Sequence, residues 1–170
     1  MKKVVYQVGD LVDYGAHGVC RIIDFTQQTI DRKKKDFYVL EPLSQDGMRI
    51  YFPADNPAVL DKLRGLLDTE ALHQFLSSDE IRECCWIEDE NQRKQRYQEL
   101  ISSGDRISLL QMIHTLQEHK KVQLAQGRKF HLCDENFLRD AIKLLDAEFA
   151  VVLDIQPEDV GPYIMNELNK

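Results

Sequence analysis

VGDLVDYGAHGVCRIIDFTQQTI, residues 8–30, decides the fold of the first half of the chain. Val8-Gly9-Asp10 is a turn signal, and Val12 and Tyr14 alternate as in a short strand behind it. Gly15 to Gly18 is a second turn, with Gly18 suited to positive φ. From Val19 to Ile30, β-branched and apolar residues (Ile22, Ile23, Phe25, Thr29, Ile30) read as a second, longer strand. Asp31 to Lys35 is too polar to be buried and reads as a charged hairpin loop. Phe37 to Leu40 is the next strand, Ser44 to Gly47 the next turn, and Met48 to Phe52 a fourth strand, stopped by Pro53. So many short strands in about fifty residues predict a small, strongly bent sheet or SH3-like barrel. Leu63 to Leu67 offers one further short strand.

Beyond about residue 68 the hydrophobic period changes to helical. Asp68 or Thr69 caps a helix carrying Leu72 and Phe75. A helical stretch over 79–102, with an interruption near Cys84 and Cys85, ends at Gly104. Asp105 caps a helix whose apolar face is Leu109, Leu110, Ile113 and Leu116, and which fades at Gln126-Gly127. Leu132 to Leu153 is amphipathic, and Pro157 opens a short last helix. The expectation is an α+β chain. Residues 1–67 form the small β-barrel and residues 68–170 an all-α domain of four to five helices.

The bulk numbers narrow the function classes. The chain has 170 residues, 43% hydrophobic and 30% charged, which is the make-up of a folded chain. MKKVVYQVGD carries no apolar run long enough for a signal peptide, and no stretch nears the ~20 apolar residues of a membrane span. A cytoplasmic location, without disulfides, follows as the expectation. The formal net charge of −7 argues against coating nucleic acid by charge alone, though not against a local basic patch.

Catalytic and metal signals are missing. There is no P-loop, GxGxxG, HExxH or GxSxG. Cys20, Cys84, Cys85 and Cys133 form no CxxC knuckle, so neither a zinc site nor any cofactor is expected. His114 and His119 lie five apart, a poor match to one helix face. His17 reads as a turn residue. At least one of Cys84 and Cys85 reads as a core filler, and Glu88, Asp89 and Glu90 as a solvated face. Three candidate binding features remain. One is a sheet edge formed by Met48, Arg49, Ile50 and Tyr51. The second is Trp86, the only tryptophan, upstream of Arg93, Lys94 and Arg96. The third is the basic run Lys120, Lys121, Arg128 and Lys129. Each has a plainer reading beside it: a core strand, a packed indole and a solvated loop.

In order, VGDLVDYGAHGVCRI (8–22), FYVLEPL (37–43), MRIYFPADN (48–56) and LRGLL (63–67) resemble the N-terminal module of the CarD/CdnL family of bacterial transcription regulators. The same module occurs in the transcription-repair coupling factor. The Trp86 region, RYQELISSGD (96–105), LLQMIHTL (109–116) and FLRDAIKLLDAEFAVVL (137–153) resemble the family's helical half. The resemblance implies a Tudor-like barrel that binds the RNA polymerase β subunit by edge-to-edge strand pairing. It further implies helices that contact promoter DNA at the upstream edge of the bubble, without sequence specificity. It places Arg49, Ile50, Tyr51 and Gln28 on the polymerase side. It places Trp86, Arg93, Lys94, Arg96, Arg128 and Lys129 on the DNA side, with Trp86 hindering bubble collapse. Here Tyr51 and Gln28 stand where family members carry arginines, and the acidic run Glu88-Asp89-Glu90 separates Trp86 from Arg93. The expected function is therefore a non-enzymatic regulator that modulates open-complex stability. The alternative is a polymerase-binding or other interaction adaptor without DNA contact. Neither a membrane nor a small-molecule substrate is expected.

Overall fold

A computed structural model describes residues 6–170 and divides the chain into two compact units, the first ending at Leu66 and the second spanning Leu67–Lys170. The first is a five-stranded antiparallel sheet: β1 (Leu11–Asp13), β2 (Val19–Ile30), β3 (Lys33–Pro42), β4 (Ile50–Pro53) and β5 (Arg64–Gly65), in the order β4-β3-β2-β1-β5. The one-turn helix α1 (Pro57–Leu60) links β4 to β5. The second is all-helical: α2 (Thr69–Leu76), α3 (Glu90–Ser103), α4 (Arg106–Ala125), α5 (Leu132–Leu153) and α6 (Pro157–Leu168). This is the α+β arrangement expected, with a Tudor-like β unit before the helices.

One sheet face carries the β core. Val12, Cys20, Ile22, Tyr38, Leu40, Phe52 and Leu63 are buried together. The register shift between Ile22 and Asp24 is a bulge, which lets the long β2 bend and close that core. The Asp13 carboxylate holds β1 against β5 through Arg64 at 2.7 Å.

The charged hairpin loop expected over Asp31–Lys35 is shorter. Only Asp31 (φ 52°) and Arg32 (φ 62°) turn, both left-handed, as in a type I′ hairpin. That turn matches strand twist, so the ladder continues without a break and Lys33, Lys34 and Lys35 pair with Ile30, Thr29 and Gln28. Tyr14 lies just outside β1, and Met48 and Arg49 just before β4.

The helix boundaries follow from capping chemistry. Asp68, Asp89 and Asp105 accept the backbone N–H of Ala71, Gln92 and Ser108. Gly104 (φ 63°) ends α3 in the left-handed region. The helical core gathers Leu72, Leu76, Ile81, Tyr97, Leu109, Ile113, Leu116, Leu145, Phe149 and Ile164. Two ion pairs in this unit are largely shielded from solvent among the described residues. Arg106 meets the buried Glu148, which also accepts the Leu67 N–H at 3.0 Å, and Arg93 meets Asp134. No helix among the described residues is long and apolar enough to cross a membrane.

Candidate functional site

On the β unit the feature is an edge. No strand among the described residues pairs with the outer side of β4. The register runs Phe37↔Pro53, Tyr38↔Phe52, Val39↔Tyr51 and Leu40↔Ile50. One step further, the Ala54 N–H donates to the Asp36 carbonyl at 2.9 Å, so Ala54/Asp36 is a hydrogen-bonded pair. Such pairs alternate along an antiparallel ladder. Phe52 and Ile50 therefore turn their backbone groups toward β3, and Tyr51 turns its N–H and C=O toward the open side. Pro53 sits at the same outward parity, where its missing N–H breaks no ladder bond.

The side chains at this edge follow the period of two. Phe52 is 1% exposed in the core, whereas Tyr51 is 52% exposed on the opposite face. Gln28 pairs with Lys35, and so shares that face with Tyr51. It stands four residues further along and two strands across, about 16 Å away, beyond the end of β4. Between them Ile30, Lys35, Phe37, Pro53 and Pro57 line an open depression. Arg49 is exposed ahead of β4, and Ile50 is half-buried.

On the helical unit the feature is a stack of rings. A segment without regular secondary structure, residues 83–89, connects a 3-10 turn (Asp79–Arg82) to α3. The Cys85 N–H donates to Thr115 Oγ1 at 3.1 Å and ties this segment to α4. Trp86 is half-buried there. His119 stacks on it, with centroids 3.5 Å apart and planes within 12°. The Arg93 guanidinium lies over the indole at 4.4 Å. With one face filled by imidazole, the guanidinium takes the other. The buried Trp86 Nε1–H has no acceptor among the described residues. Phe130 leans on His119 at 6.4 Å, which brings the turn holding Gly127, Arg128 and Lys129 beside the stack. Burial lowers the His119 pKa; Asp134 raises it and Arg93 lowers it further. The ring in the stack is thus held toward its neutral form.

Several expectations are corrected here. Arg93, expected on DNA phosphates, is 6% exposed. It grips Asp134 with Nε and Nη2 at 2.9 and 3.0 Å and donates to the Ile87 carbonyl at 2.9 Å. Two donors of its planar fork on the buried carboxylate and a third on a backbone carbonyl make it an internal brace. Cys84 and Cys85 are both exposed, so neither fills the core. They lie in irregular backbone where a helical stretch was expected. Within Glu88-Asp89-Glu90, Asp89 caps α3 and Glu90 pairs with Lys94 at 2.6 Å. His17 stacks on Tyr14 in its turn.

The remaining cations divide. Lys120 pairs with Glu135, and Lys121 with Glu118. Arg96 is exposed, with a loose partner in Glu99 at 3.5 Å. Arg128 and Lys129 are exposed, and no side-chain partner is seen for them among the described residues. The sequence reading missed His119 and Asp134. The spacing Thr115/His119 (i, i+4) puts both on one side of α4 and was the available signal.

No group of three or more His, Cys, Asp or Glu that could hold a metal occurs among the described residues. Comparison with known families matches residues 6–64 to the CarD-like/TRCF RID domain. No curated protein matches the chain.

Proposed function

Since the N-terminal unit is a CarD-like/TRCF RID domain, a module of RNA polymerase-interacting proteins and not a catalytic one, we propose that this chain docks on the polymerase β subunit through β4 and acts at promoter DNA through its helical unit. The observation that carries the docking is the unpaired outer side of β4, where Tyr51 offers both an outward N–H and C=O and a half-exposed ring. A strand of the β subunit would extend the sheet there, its main chain supplying affinity and its side chains specificity. Tyr51, Arg49 and Gln28 would read its residues, and the depression floored by Phe37 and Pro53 would receive an apolar one.

At the DNA end, Trp86, Lys94, Arg96, Arg128 and Lys129 remain as contacts, without Arg93. Both indole faces are covered, so Trp86 would meet an opened base step by its edge, braced from behind by His119 and Arg93. A contact made with open but not closed DNA raises the open population by its differential affinity alone. The same geometry favours a second reading, an adaptor without DNA contact. Arg93 is withdrawn and Glu88 stands exposed beside the indole.

One experiment separates the two. Open-complex lifetime is measured with wild type and Trp86→Ala, alongside binding to the isolated β lobe. Shortened lifetime with unchanged lobe binding supports the DNA role. An unchanged lifetime leaves the adaptor. Failure of wild type to bind the lobe removes both.

A further inference from the structure

Cys84 and Cys85 are adjacent, both exposed, and immediately precede Trp86. Neither is needed for the core, and neither is spoken for by the docking or DNA roles above. The segment that carries them has no regular secondary structure and is held to α4 by the Cys85 N–H on Thr115 Oγ1 at 3.1 Å. The structure thus presents two thiols to solvent on a tether whose next residue is the half-buried indole.

We propose that Cys84 and Cys85 form a vicinal dithiol site, which is oxidised by low-molecular-weight disulfides to a Cys84–Cys85 disulfide and captures trivalent arsenicals, and that its closure displaces Trp86 from the His119 stack. In the oxidation, the Cys85 thiolate attacks one sulfur of the small disulfide. A mixed disulfide forms and one small thiolate leaves. The Cys84 thiolate then attacks the Cys85 sulfur, closing the ring and releasing the second small thiolate. The two protons lost by the protein thiols end on the two small thiols. Two protein thiols are oxidised, and one disulfide is reduced. Burial, then the Thr115 hydrogen bond acting in opposition, leaves the Cys84 thiol raised above its usual range. An arsenical closes the same pair without any redox change, each As–O bond giving way to an As–S bond with release of water.

Ring closure has a mechanical consequence. Neighbouring Cα atoms lie about 3.8 Å apart across a trans peptide, short of the roughly 4.4–6.8 Å that relaxed disulfides span. Closing the ring therefore requires rotation of the 84–85 backbone. That rotation acts on the Cys85 N–H anchor and on Trp86 beside it. The strained bond is readily reopened, which is the character of a switching rather than a structural disulfide.

The full chain is incubated with oxidised glutathione and followed by intact mass and by the fluorescence of Trp86, the chain's only tryptophan. The expected product has lost the mass of two hydrogens and carries no glutathione. A peptide map joins Cys84 to Cys85, the indole emission changes in step, and a monothiol reverses both. Cys84→Ser and Cys85→Ser each stop at the glutathione adduct or fail to react, while Cys133→Ser behaves as wild type. Phenylarsine oxide binds wild type and neither single variant tightly. A stable glutathione adduct on wild type, a lack of reaction with either probe, or closure with unchanged Trp86 emission overturns the proposal. These readouts are independent of polymerase and DNA, so they stand or fall apart from the function proposed above.

Discussion

Proline at Tyr51 tests the docking geometry more sharply than alanine does. By the parity of the ladder, the Tyr51 N–H points away from β3, so Tyr51→Pro removes a donor that no strand among the described residues uses. Pro53 already occupies the next position of that parity. The β unit should keep its fold, with a melting temperature close to that of Tyr51→Ala. Against a β-subunit strand the same change deletes one inter-strand hydrogen bond and leaves a partner carbonyl unpaired in a drying interface. A net hydrogen bond is worth about 1 kcal/mol, and an orphaned acceptor about 1–3 kcal/mol. A loss near 2 kcal/mol corresponds to roughly 30-fold weaker binding. Tyr51→Ala loses the ring but keeps the donor, so the ratio Tyr51→Pro to Tyr51→Ala isolates the main-chain bond. Isothermal titration of the full chain against the purified β lobe reads that ratio. Equal affinities of the two variants would refute strand addition at β4. Unfolding of the β unit by Tyr51→Pro alone would refute the assigned parity.

Three further outcomes follow from the same coordinates. Arg93→Ala strands the Asp134 carboxylate, whose side chain is 3% exposed. A urea melt should show a loss of about 3–5 kcal/mol, the usual cost of breaking a buried pair. Arg32→Gly relieves a left-handed residue in the β2–β3 turn and should stabilise the β unit by about 1 kcal/mol, read by thermal melting. Burial pushes the half-buried Asp146 carboxyl up to about 6. A raised folded-state pKa means that the protonated form favours folding. That contribution is complete below the unfolded value near 3.9 and is lost as pH climbs through about 6. Asp146→Asn should therefore be more stable than wild type at pH 7, by about 1 kcal/mol once solvent screening of a half-exposed group is allowed for. The gain should vanish below about pH 4.

Local chemistry written in short windows was legible in the sequence. Leu132–Leu153 could be read to the residue, because an amphipathic run with capping residues defines its own ends. Asp68, Asp105 and Gly104 announce helix boundaries for the same reason. The hairpin was misjudged because lysines read as loop. In an exposed ribbon they pair as well as any residue once the turn is right. The functional surfaces were less legible. Tyr51 could be nominated from its strand, but the direction of its N–H depends on which residues of β3 it faces. The Trp86 stack joins residues 86, 93, 119 and 134, whose meeting depends on the packing of α3, α4 and α5. Arg93 illustrates the limit. In sequence it is one of three cations after a tryptophan, and only the fold shows that Asp134 claims it.

An acidic chain suits a regulator that borrows its address. Arg96, Arg128 and Lys129 amount to two or three phosphate contacts. A free protein with so few would bind DNA no better than the roughly 10⁻⁴ M end of non-specific affinity. Anchoring the β unit on polymerase changes that calculation without adding a contact. The first unit ends at Leu66 and the second begins at Leu67, and short connections give effective concentrations on the order of millimolar. A weak contact is then largely occupied at the promoter and empty elsewhere, which the negative net charge reinforces. The contact need favour open over closed DNA by only about 1.4 kcal/mol to alter the open population tenfold. On this reasoning the isolated helical segment, even in excess, should leave open-complex lifetime unchanged, and Tyr51→Pro in the full chain should abolish the effect of Trp86. An effect of Trp86 that survives loss of lobe binding would mean that the helical unit finds DNA by itself.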